Sequence, residues 1–133
     1  MSEEVLAKSL RMRGLFEESL IQLRSVIQQL NELSPVVGQA ALLQCFQRAV
    51  FLGFKTLKAF LKEEGLSPLT PKQHLEMARQ AGWIDAADED AWWILLRCWL
   101  EIPQIYEPEQ ADLLQRQILA CENVLDKLFR VLS

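Results

Sequence analysis

With 133 residues, half of them apolar, the chain can build one hydrophobic core, which excludes a second independent domain. A net charge of −4 excludes general affinity for nucleic acid, which calls for a cationic surface. No uninterrupted apolar run approaches the roughly 20 residues of a membrane span, and the acidic start, Ser2-Glu3-Glu4, is unlike the basic opening of a secretory signal, so a cytoplasmic location is expected.

In chain order, the first predicted helix runs from Glu3 to Leu33, with Met12, Phe16, Leu20, Leu23, Ile27 and Leu30 as its buried stripe. Gly14 marks a candidate bend. Ser34-Pro35 ends this helix, because the residue before proline is pushed out of the helical region, and Val36 to Gly38 makes a short link to an antiparallel neighbour. The second helix, Gln39 to Lys62, is the predicted spine. Leu43, Phe46, Val50, Phe54, Leu57 and Leu61 line one face, while Leu42, Ala49, Leu52 and Ala59 line a second. Its charged residues are all basic (Arg48, Lys55, Lys58 and Lys62), so this edge calls for acidic neighbours or an anionic ligand. Gly53 within it implies a close approach by another helix, and Gly65 suits the left-handed turn that ends it.

Thr70-Pro71-Lys72-Gln73 combines a hydroxyl cap, proline at the first helical position and glutamine three residues after the cap, so a short third helix starts there and ends near Ala81. Asp85 is the predicted cap of a fourth helix carrying Trp92, Trp93, Leu95, Leu96 and Trp99, too many large apolar groups for a single buried face. Ile102-Pro103 breaks it, Gln104 to Tyr106 is a non-helical link, and one last helix from Pro108 carries Leu114, Ile118, Cys121, Leu125, Leu128 and Leu132. Without a period-two stretch anywhere, the fold class is all-α: a single domain over residues 1–133, an up-and-down bundle of four main helices plus a short fifth.

Few residues offer chemistry. Cys45, Cys98 and Cys121 lie far apart in helical patterns and read as reduced core residues. His74 is the only histidine, so no histidine pair can hold a metal or divide acid and base roles, and helix packing or exposure is its expected state. No phosphate loop, metal-ligand spacing or nucleophile elbow occurs; no metal or cofactor is expected. Charge is uneven. Residues 39–62 carry +4, whereas 85–112 carry eight acids against Arg97 alone, so the two segments either pair within the fold or form a face for a partner.

Gln44-Cys45-Phe46-Gln47, then Leu52-Gly53-Phe54-Lys55-Thr56-Leu57-Lys58 and Phe60-Leu61 through Gly65, resembles the hallmark series of the nucleotidyltransferase substrate-binding proteins of the HEPN superfamily. That family's pattern has the form QxFE, then WKxLKxYL, then G. Thr70-Pro71-Lys72 and Ala81-Gly82-Trp83-Ile84 continue the series in order. The resemblance implies a HEPN-like bundle, a homodimer or higher homo-oligomer, and a separately encoded minimal nucleotidyltransferase as partner. Many members of the family carry a ribonuclease site made of an arginine and a histidine, with a tyrosine two residues later that the partner can adenylylate. Aligned on Tyr106, Gln104 stands at the histidine position and Arg97 or Trp99 at the arginine position. A glutamine amide cannot exchange a proton near neutral pH, so the general acid or base is missing. Gln47 and Phe54 also replace an acid and a tryptophan of the pattern.

The expected function is therefore a non-catalytic binding module that docks a nucleotidyltransferase and helps bind its substrate or a nucleotide. Lys55, Lys58, Arg97, Trp99, Gln104 and Tyr106 are the candidate binding residues, and Tyr106 is a candidate for modification. A ribonuclease toxin using Arg97 with another partner, and a purely structural self-associating protein, are the alternatives.

Overall fold

A computed structural model describes residues 2–132. Six α-helices, α1 (Glu3–Gln29), α2 (Pro35–Glu63), α3 (Pro71–Gln80), α4 (Glu89–Glu101), α5 (Pro108–Cys121) and α6 (Asn123–Val131), are joined by short links, and 3-10 turns at Ala86–Asp88 and Ile102–Gln104 flank α4. There is no strand among the described residues.

Six helices replace the expected five. The last helix is two, divided at Glu122, where the Leu125 amide donates to the Glu122 carbonyl in a tightened turn. The apolar period crosses the break unchanged because each half buries its own stripe: α5 against α4 and α2, α6 against α1 and α2. Ser34-Pro35 also plays a different part from the one expected. Ser34 caps α2 by accepting from the Val37 amide at 3.4 Å, and Pro35 takes the first helical position, where the missing N–H costs nothing. The link into the spine is thus residues 30–34, and Gly38 lies inside the helix, where an added Cβ would meet Leu30 at 3.3 Å. Asp85 precedes a 3-10 turn and makes no side-chain capping bond, so α4 starts only at Glu89. Gln104 ends the second 3-10 turn rather than belonging to a non-helical link.

The pairing of α1 with α2 positions everything else. Ser9 lies opposite Ala59, Met12 opposite Thr56, Phe16 opposite Gly53, Gln22 opposite Arg48, and Leu30 opposite Gly38, an antiparallel register held along the whole hairpin. At its centre the Phe16 ring sits where a Cβ on Gly53 would come within 3.2 Å. Small hydroxyls keep the flanking contacts close and satisfied. Thr56 Oγ1 lies 2.7 Å from the Leu52 carbonyl and 3.0 Å from that of Met12, and Ser9 Oγ reaches the carbonyls of Val5 and Ala59. Ser9 and Thr56 are buried, so each hydroxyl needs those partners.

Every other helix packs on α2. By length and mean hydropathy α2 alone would suit a membrane span, but here Phe46, Ala49, Val50, Leu57 and Leu61 are covered by neighbouring helices. The helix α6 closes the α1 side. Phe129 meets Phe16 edge-on at 6.1 Å, and the Arg13 guanidinium stacks 4.0 Å from the Phe129 centroid while donating to the carbonyls of Phe129 and Leu132. Those carbonyls lack partners within their own helix, so Arg13 serves as a cap supplied from another helix.

Two glycines of α1 and α2 should respond oppositely to substitution. Nothing lies within 4 Å of a Cβ at Gly14, so Gly14→Ala should raise stability by about 0.5–1 kcal/mol through helix propensity. Gly53→Val should lower it by about 1–3 kcal/mol by displacing Phe16, and Phe16→Ala by about 3–5 kcal/mol. Denaturant unfolding of the three variants checks the signs.

Candidate functional site

The exposed side of the hairpin carries a row of lysines without ion-pair partners among the described residues. Lys55, Lys58 and Lys62 follow at steps of three and four, so all three project from one side of α2. Across from them the antiparallel register brings Lys8 of α1 level with Ala59 and Lys62. Together they line a groove of about 490 Å³ whose floor is Met12, Phe51, Leu52 and Ala59. Lys55 Nζ lies 5.4 Å from the Phe51 centroid, near enough for a cation–π contact. Glu4 lines the adjoining cleft beside Lys8 and Lys62, yet among the described residues no ion pair involves any of the four lysines. The acids of segment 85–112 are engaged elsewhere or open to solvent: Asp88 pairs with Lys127 at 3.2 Å and Glu89 with Arg79 at 3.3 Å. No ion pair joins the basic and acidic segments among the described residues; their one side-chain hydrogen bond there is Gln39 Nε2 donating to Asp112 Oδ1 at 2.8 Å.

The six residues singled out from the sequence come from α2 (Lys55, Lys58), α4 (Arg97, Trp99), the second 3-10 turn (Gln104) and the link to α5 (Tyr106). Lys55 and Lys58 belong to the groove. Trp99 is half-buried, its ring 5.5 Å from that of Phe54, so its indole serves packing between α4 and α2. Arg97 is exposed on α4. Gln104 donates back to the Leu100 carbonyl at 3.5 Å. Tyr106 is 82% exposed, and its backbone amide donates to Gln110 Oε1 at 3.2 Å beside the Glu107–Gln110 capping box of α5. Lys8 escaped the sequence reading because only the register of α1 on α2 brings it to the groove. Knowing that Gly53 faces Phe16 is enough to place it.

His74 holds α3 against the spine. Its Nδ1 lies 2.7 Å from the Thr70 carbonyl, which can only accept, so Nδ1 carries the proton of the neutral ring. The ring meets Phe54 edge-on at 5.5 Å. Burial pushes its pKa below the ordinary 6.5; the Thr70 carbonyl works against that shift and the nearby Lys58 ammonium adds to it. The thiols are equally unreactive by environment. Burial drives Cys98 up to about 11, partly offset by Arg97, and its Sγ contacts Gln117 Oε1 at 3.5 Å. Among the described residues no three His, Cys, Asp or Glu side chains gather as a metal-ligand set.

A lowered histidine pKa means that the unfolded chain binds more protons than the fold does. The stabilising contribution is therefore complete above about pH 6.5 and is lost as pH falls through the folded value. Unfolding measured between about pH 7.5 and about pH 5 should show a smaller loss of stability for His74→Gln than for the parent chain; equal losses would mean that His74 titrates normally.

Compared with known proteins, the chain matches no family model, no curated protein and no solved structure.

Proposed function

We propose that this chain is a non-catalytic binding module whose lysine groove docks an anionic surface of a partner protein. The observation that carries this reading is the row of Lys55, Lys58 and Lys62 with Lys8 opposite, left without a carboxylate partner among the described residues. Four ammonium groups along one groove repel one another, and an anion bridging them relieves that repulsion in a setting less screened than open water. The apolar floor adds area to bury, and Phe51, 42% exposed, gives a partner an aromatic surface.

The partner class comes from the resemblance of the Gln44 to Gly65 series to nucleotidyltransferase substrate-binding proteins. On that basis we assign a separately encoded minimal nucleotidyltransferase as partner, a HEPN-like arrangement of the helices, self-association and a cytoplasmic setting. Tyr106 adds support of its own. Its hydroxyl stands in solvent at the α4–α5 junction, accessible to an enzyme that would transfer a nucleotidyl group to it.

The test is a pull-down from the native host at low and moderate salt, with the tagged chain and a Lys55→Glu/Lys58→Glu variant side by side. A small nucleotidyltransferase should be retained in fixed proportion, fall off as salt screens the groove, and be lost at least about tenfold with the charge-reversed variant. Retention equal for both chains would remove the groove from the interface; recovery of no nucleotidyltransferase would overturn the partner assignment. In the purified pair, Mg-ATP should add one nucleotidyl group by intact mass, absent from Tyr106→Phe.

A further inference from the structure

Between α3 and α4, lined by none of the groove's residues, lies a pocket of about 330 Å³. Leu75, Ile84 and Trp92, all buried, make its floor, and the half-buried Trp93 makes one wall. Its size is that of small-molecule sites, and apolar walls with a few polar groups at the mouth are their usual construction. The mouth is not neutral. Arg79 of α3 and Glu89 of α4 bridge it at 3.3 Å, which leaves Glu76 as the second carboxylate on the rim, held only by a weak contact of 3.9 Å to the exposed Lys72. Asp85 and Asp90, both exposed on the adjoining segment, extend the negative field.

From this arrangement we infer a binding site for a small flat organic cation. An indole face attracts a cation electrostatically through its quadrupole, and one rim carboxylate in excess over the single guanidinium sets the sign of the charge the mouth favours. A flat apolar body fills the space between Trp93 and the floor, while the cationic end stays at the mouth beside Glu76 and Glu89. A planar anion would have to compete with Glu89 for Arg79 and would face Glu76 as well. The site involves none of the residues assigned to partner docking, so it stands or falls independently of that reading.

Benzamidine, benzamide and benzoate, nearly identical in shape and differing in charge, are the probes. The 133-residue chain labelled with nitrogen-15 should give an indole N–H signal for each of its four tryptophans. Trp83, packed on Phe60, and Trp99, packed on Phe54, lie outside the pocket and act as internal controls. Benzamidine should shift the Trp92 and Trp93 signals saturably, at a concentration about fivefold lower than benzamide requires. Benzoate should be weaker than either. Trp93→Leu should abolish the Trp92 shift, and Glu89→Gln, which removes the excess rim carboxylate and frees Arg79, should erase most of the difference between benzamidine and benzoate. Benzoate binding the parent chain as well as benzamidine, all four indoles shifting together, or no shift with benzamidine at millimolar concentration would each overturn the assignment.

Discussion

The contact of the Phe16 ring with the bare backbone at Gly53 is the constraint on which the rest of the fold depends. It sets how closely α1 and α2 lie, and closeness fixes register, because Ser9 and Thr56 reach carbonyls of the opposite helix only at that separation. Register in turn decides which side chains become neighbours across the hairpin. One face of α2 is then buried against α1, and a second receives α3, α4, α5 and α6 in turn. The remaining sector has nothing left to cover it, and that sector carries the lysines.

Burial and charge thus divide the spine between them. Its apolar residues pack on two sides, and Lys55, Lys58 and Lys62 share one edge, where α1 contributes Lys8 to the groove and Glu4 to the adjoining cleft. The acidic segment is partly neutralised by Lys127 and Arg79 instead. A chain of modest negative net charge therefore presents two surfaces of opposite sign, a cationic groove on the α1–α2 hairpin and an anionic rim over the α3–α4 pocket. Neither surface relies on a reactive side chain. The lone histidine is held neutral by burial, and the most buried thiol is kept protonated for the same reason.

Local signals in the sequence were reliable where the physics is local. The capping box at Thr70, the left-handed turn at Gly65 with φ +77, and the close approach at Gly53 are each decided by a few neighbouring atoms, and each is present in the fold. Ser34-Pro35 misled because the same dipeptide stops one helix and starts another, and only tertiary packing determines how many residues lie between. The division at Glu122 left no trace in the heptad-like spacing, since two helices burying successive stripes keep the same period as one. Features assembled across elements were the least legible. Lys8 needs the hairpin register, and the pocket at Trp92 and Trp93 needs the placement of α3 beside α4. Tyr106 is another such case: its place in a link between two helices did not say whether its ring would pack or, as it does, project into solvent.

Capping of α6 by Arg13 has a consequence for synthesis. The hairpin is complete once Glu63 has been made, but Asn123, which opens the helix that covers Phe16, follows sixty residues later. At ribosomal speeds that interval is roughly 3–12 s, far longer than a helical hairpin needs to form. Throughout it the side of Phe16 that Phe129 later meets has no partner, and Arg13 has no carbonyls to cap. Two such chains on neighbouring ribosomes of one message would find in each other the apolar surface that α6 later supplies, so the order of elements along the gene makes the emerging hairpin the stage most exposed to mispairing and to capture by chaperones.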